Sequence, residues 1–112
     1  MSERFTVYGL RAKDDTEVRY IGLTSGDPNV RVGNLRSCEV GFRSWSRFGE
    51  WLSASEIEPF VIASFTSQGE GKAAEIAAIA TALRCGQRLF NRDHVPKHLR
   101  IPSERLPLVV AA

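Results

Sequence analysis

The sequence predicts an α+β domain, a small three-stranded antiparallel sheet flanked by helices in the order ββααβα, followed by an irregular tail. Three observations predict it. Two short runs alternate in polarity and are joined by a polar turn. A later stretch, residues 60–65, is short and apolar but for Ser64, as expected of a strand buried on both faces. Directly after it comes a capped helical pattern that ends on a glycine.

In residues 4–11, Phe5, Val7 and Gly9 fall on one face, and Thr6, Tyr8 and Leu10 on the other. Residues 17–23 repeat the alternation, with Val18, Tyr20 and Gly22 opposite Arg19, Ile21 and Leu23. The polar link Lys13-Asp14-Asp15-Thr16 reads as a hairpin connection, so Tyr8 and Tyr20 come close together if the register permits. Asp27-Pro28 then marks a helix start, with Asp27 as N-cap and Pro28 at the first helical position. Val30, Val32 and Leu35 make this first helix partly apolar, with Arg31 and Arg36 beside them. A second helix is expected from Ser44, with Trp45, Phe48 and Leu52 on one face and Trp51 alongside. Aromatics at helical spacing read as core in preference to base-stacking platforms.

Glu58-Pro59 closes that region, and residues 60–65 are expected as the central strand. Ser67 and Glu70 form a capping box for the last helix, whose apolar stripe is read as Ile76, Ile79, Ala80 and Leu83, with Gly86 as its stop. At 100° per residue, Glu75 falls about 90° from the centre of that stripe, at the margin of the buried face. Pro96, Pro102 and Pro107 keep the tail out of any long helix. Leu106 to Val110 is apolar enough for an edge strand or a dimer contact. The expected division is a domain over residues 1–93 and a proline-containing tail over 94–112.

The chain has 112 residues, enough for one hydrophobic core. Its 43% apolar and 25% charged residues are ordinary for a soluble globular protein. No stretch approaches the roughly 20 apolar residues of a membrane span, and the N-terminus has no signal-peptide pattern. A cytoplasmic location without membrane contact is expected. Cys38 and Cys85 lack CxxC spacing and are expected as buried thiols, not as a disulfide. With His94 and His98 they match no compact zinc module, and Pro96 prevents a helical histidine pair.

Net charge is only +2, yet its distribution is uneven. Arg31, Arg36, Arg43 and Arg47 face a single acid, Glu39, between Pro28 and Gly49. Twelve of the fifteen cationic residues are arginine, which suits bidentate phosphate contact, although scattered arginines also serve solubility. Two phenols, a guanidinium, a carboxylate and a carboxamide (Tyr8, Tyr20, Arg31, Glu75 and Asn91) form a set able to handle a phosphodiester. Each taken singly reads as packing, surface or turn chemistry.

In order, these residues resemble the GIY-YIG nuclease family. Thr6-Val7-Tyr8 matches the first motif with Thr in place of Gly, and Tyr20-Ile21-Gly22 matches the second intact. Arg31 fits the family's helix arginine, Glu75 its metal-binding glutamate and Asn91 its late asparagine, over residues 4–93. The resemblance implies an endonuclease that hydrolyses DNA phosphodiesters with Mg²⁺ or Mn²⁺ held by Glu75. It implies Tyr8 as general base or relay, with Arg31 and the metal favouring its phenolate, since a phenol near 10 is otherwise a poor base. Tyr20 would position phosphate or water, and Arg31 would stabilise developing charge. Asn91 would hold structure or orient phosphate, with Arg36, Arg43 and Arg47 as further substrate contacts.

Gly22 is expected to let the sheet accept a close neighbour. One position departs from the family pattern: where many members carry His or Tyr shortly after the helix arginine, this chain has Leu35. Specificity would come from weak sequence preference, from DNA structure, or from a partner protein or second subunit. The competing readings are a catalytically weak or inactive nucleic-acid-binding module on the same scaffold, and a protein-interaction module using the apolar tail.

Overall fold

The computed structural model describes residues 4–39, 44–45, 47–54, 56–91, 94–101 and 106–107. Strand β1 (Phe5–Ala12) pairs antiparallel with β2 (Tyr20–Thr24), with Tyr8 opposite Gly22 and Leu10 opposite Tyr20. These four residues therefore share one face. The connecting turn is fixed by its own polar groups. Asp15 N donates to Ala12 O at 2.9 Å, and Glu17 N donates to Asp15 Oδ1 at 3.0 Å. That backbone donor, with Arg19 adding to it, holds the Asp15 carboxyl below its ordinary value.

Helix α1 (Pro28–Glu39) opens as its sequence predicts: Asn29 N donates to Asp27 Oδ1 at 2.8 Å. The second helix differs from expectation. Ser44 and Trp45 form a short strand, β3, and α2 runs only from Arg47 to Ala54. Trp45 therefore lies outside the helix, and Phe48 and Leu52, at i and i+4 within it, are buried. Strand β4 (Ile57–Phe65) pairs antiparallel with the other side of β1, and the sheet order is β2-β1-β4.

The largely apolar run of residues 60–65 thus lies at an edge, not at the centre. Val61 and Ile62 are exposed, and the pairing shifts register opposite Val7 and Tyr8. A short apolar run cannot distinguish these positions, because either is compatible with its composition. The ring of Phe60 covers Gly9, and Arg11 lies over that ring at 5.1 Å while bonding Glu58.

Helix α3 (Gln68–Arg84) is capped by Ser67, whose side chain accepts from Glu70 N. It ends in a Schellman turn: Gly86 N donates to Leu83 O and Gln87 N to Ala82 O, with Gly86 at φ 82°. The buried line is Gly71, Glu75, Ile79 and Ala82, while Ile76 and Ala80 face outward. The stripe expected from the largest apolar residues is displaced because α3 packs its small residues inward. A Cβ on Gly71 would meet Leu23 Cδ1 at 3.0 Å and Phe5 Cβ at 3.2 Å. Glycine there brings the helix against β1 and β2.

The core has two parts, one on each face of the sheet. Tyr8 and Leu10 pack with Val32 and Leu35 of α1, Phe48 and Leu52 of α2, and Phe90. Val7 and Ile21 pack with Ile79 and Ala82 of α3, Leu89 and Val95. The start of the tail is anchored here: Val95 is buried, Ile101 N donates to Leu89 O, and Arg100 Nε donates to Val95 O. A short strand β5 (Leu106–Pro107) pairs with β3, and residues 108–112 lie outside the described residues. Cys85 is a free, exposed thiol at the end of α3, not a buried one. Its place beyond the last helical turn removes it from the buried face. Among the described residues no helix is long and apolar enough to cross a membrane.

Candidate functional site

Tyr8 is fully buried, and its ring lies over Gly22. A Cβ at Gly22 would stand 2.6 Å from Tyr8 Oη, 2.7 Å from Cζ and 3.0 Å from Tyr20 Cε1. Glycine at this position is therefore what admits the phenol, and the close neighbour expected there is Tyr8 itself. The Tyr20 ring is diagonal to Tyr8 across the two strands, with centroids 6.3 Å apart. Phe48 stacks on Tyr20 at 5.0 Å, and Phe90 stacks on Phe48 at the same separation. Each such ring pair contributes about 0.5–1.5 kcal/mol beyond its area. The second helix thereby fixes the orientation of a partly exposed phenol.

Tyr8 Oη has no hydrogen-bond partner among the described residues. Its hydroxyl is pushed well above the ordinary phenol value, chiefly by burial and then by Tyr20. Arg31 opposes this shift, first by a polar contact with the hydroxyl that falls short of full hydrogen-bond geometry and then by its charge, and Glu75 adds to it. Arg31 alone does not draw Tyr8 to phenolate, because removing the ring from water disfavours its charge more than one guanidinium restores it. Tyr8 holds its proton. Tyr20 is the more accessible of the two phenols.

Arg31 projects from α1, on the same face as the tyrosines, and is exposed. Glu75 belongs to α3, on the opposite face, yet both residues act electrostatically on the Tyr8 hydroxyl. The glutamate is 8% exposed and lies within the buried line, deeper than the margin expected. Lys72 Nζ donates to Glu75 Oε1 at 2.9 Å. This partner was missed in the sequence, although i,i+3 spacing on a helix was the signal that could have found it.

Asn91 does not present its amide to a ligand. Its Oδ1 accepts from Ile21 N at 3.0 Å, and its Nδ2 donates to Ile21 O at 2.6 Å. Phe90 N likewise donates to Arg19 O at 2.7 Å. Residues 90–91 therefore act as a short substitute strand along the outer edge of β2, satisfying groups that would otherwise be unpaired. Asn91 is a positioning residue for the strand that carries Tyr20 and Gly22, which is the structural one of the two roles expected of it.

Leu35, the position where the family pattern has His or Tyr, is buried against Tyr8 and Val32. An apolar residue there completes the core on the Tyr8 side. Arg43 lies outside the described residues, as do the side chains of Arg36 and Arg47, although their backbones fall in α1 and α2. Searches of protein-family models, curated proteins and solved structures give no match to this chain.

Proposed function

We propose that the protein is a metal-dependent endonuclease of GIY-YIG type, which hydrolyses phosphodiester bonds in DNA. One observation supports this reading above the others: a buried carboxylate and a guanidinium, from helices on opposite faces of the sheet, both act on one buried phenol. A merely structural tyrosine would be expected to hydrogen-bond its hydroxyl or place it in water.

Arg31, exposed and permanently charged, binds the scissile phosphate and stabilises the charge that develops on its oxygens. Tyr20, steadied by Phe48, is the phenol that reaches substrate and orients the attacking water. Tyr8 remains protonated and holds the geometry between Tyr20, Gly22 and Arg31, so it is a positioning residue. The donor set fits a hard, largely hydrated divalent cation, because one carboxylate of Glu75 together with substrate phosphate is the coordination Mg²⁺ accepts. Glu75 would hold Mg²⁺ or Mn²⁺, which supplies an acidified water and charge neutralisation. The uneven arginine distribution suits DNA as partner.

A second reading is a nucleic-acid-binding module without turnover. It is favoured by Leu35 at the position of a polar helper and by the ion pair already formed at Glu75. Incubating supercoiled plasmid with Mg²⁺ or Mn²⁺ separates the two. Nicking by the wild type that is lost in Glu75→Ala is the result expected of the enzyme. Salt-sensitive binding by both proteins, with cleavage by neither, would replace it with the binding module.

A further inference from the structure

We propose that Lys72 is the resident counter-ion of Glu75, with which an incoming divalent cation must compete, so that Lys72 lowers the metal affinity of the site. This rests on Glu75 as metal ligand. The Glu75 carboxylate is already engaged by Lys72 in the fold. Lys72 Nζ is 2.9 Å from Glu75 Oε1, while the Glu75 side chain is only 11% exposed and that of Lys72 is 50% exposed. The carboxylate is fixed in the packed face of α3 between Gly71 and Ile79, and the ammonium approaches it from the solvent side. An ammonium on Oε1 engages one of the carboxylate's two oxygens, so the ion has to share the group with it. It also places a like charge beside the ion's position.

The exchange has a consequence for substrate. A DNA phosphate offers Lys72 an alternative anion at its exposed side, which releases Oε1. Metal and phosphate therefore favour each other's binding through Lys72, as linkage requires.

Mn²⁺ binding, followed by loss of the free-ion electron paramagnetic resonance signal, tests this without any cleavage. Removing one half-exposed competing cation tightens Mn²⁺ binding by about two- to fivefold in Lys72→Gln. Lys72→Arg, which keeps the charge, binds as wild type does. Unchanged or weaker binding in Lys72→Gln would overturn the proposal, as would equal tightening in Lys72→Arg. Glu75→Gln separates the two levels of the argument. If it retains wild-type affinity, the metal-ligand reading of Glu75 fails. If it loses the ion while Lys72→Gln is unaltered, only the role of Lys72 fails. Far-ultraviolet circular dichroism verifies that each variant is folded.

Discussion

Replacing Tyr8 by phenylalanine should stabilise the protein, although the residue lies in the middle of the core. Tyr8 is fully buried, and its hydroxyl is without a hydrogen-bond partner among the described residues. A buried polar group left unpaired is destabilising by about 1–3 kcal/mol. Phenylalanine keeps the ring that packs against Leu10, Val32, Leu35 and Phe48 and removes only the orphaned oxygen. The small void left beside Gly22 offsets part of the gain. A net stabilisation of about 1 kcal/mol remains, equivalent to roughly 4 °C in Tm for a domain of this size. Urea denaturation at pH 7, with a thermal melt as the second probe, measures it. A loss of 1 kcal/mol or more in Tyr8→Phe would refute the reasoning, since it would mean that the hydroxyl makes a bond of value in the folded state.

Other outcomes follow from the same geometry. The folded-state value of Tyr8 is raised above its unfolded value of about 10, so the unfolded chain releases the proton first and stability falls as pH rises beyond about 10. Tyr8→Phe should flatten that alkaline limb, which urea midpoints measured from pH 8 to 11 would reveal. Gly22→Ala places a methyl against a ring that has no room to move and should destabilise by about 1–3 kcal/mol. Because Tyr8 Cζ is as close as Oη, adding Gly22→Ala to Tyr8→Phe should cost nearly as much, a comparison that chemical denaturation of the four proteins settles. Asn91→Leu removes both bonds to Ile21 and leaves its backbone groups unpaired at the edge of β2, a loss of about 2–4 kcal/mol. Amide hydrogen exchange at Ile21 should quicken in the same variant.

The hairpin, the start of α1 and both ends of α3 were legible because each depends on local chemistry. Alternation put Tyr8 and Tyr20 on two strands, whose register in the fold brings them to one face; Asp27 and Ser67 opened helices, and Gly86 closed one. What was not legible depends on partners far away in sequence. The position of residues 60–65 at a sheet edge is decided by β1, which pairs on both sides and leaves β4 outermost. The buried line of α3 was misjudged because large apolar residues dominate a periodicity, whereas Gly71 and Ala82 govern how closely this helix approaches the sheet. Glu75 was therefore placed at a margin when it lies within the packed line.

The residues of the candidate site are legible in order along the chain, but their electrostatics are not. Whether Arg31 or burial governs Tyr8 is a contest between desolvation and charge that only the packed structure decides, and burial prevails. Asn91 shows the same limit. A carboxamide after a helix suits phosphate or backbone equally well, and its engagement by Ile21 depends on the folded path of residues 89–91 along β2.

The central claim is that Arg31 and Glu75 serve one phosphodiester reaction at the tyrosine pair. The most direct measurement is the initial rate of supercoiled plasmid nicking in Mg²⁺ by the wild type, Arg31→Ala and Glu75→Ala, with circular dichroism confirming that all three fold. The account predicts metal-dependent nicking by the wild type and a fall of about a hundredfold or more in each variant. Absence of nicking by the wild type, or wild-type rates in either variant, would contradict it.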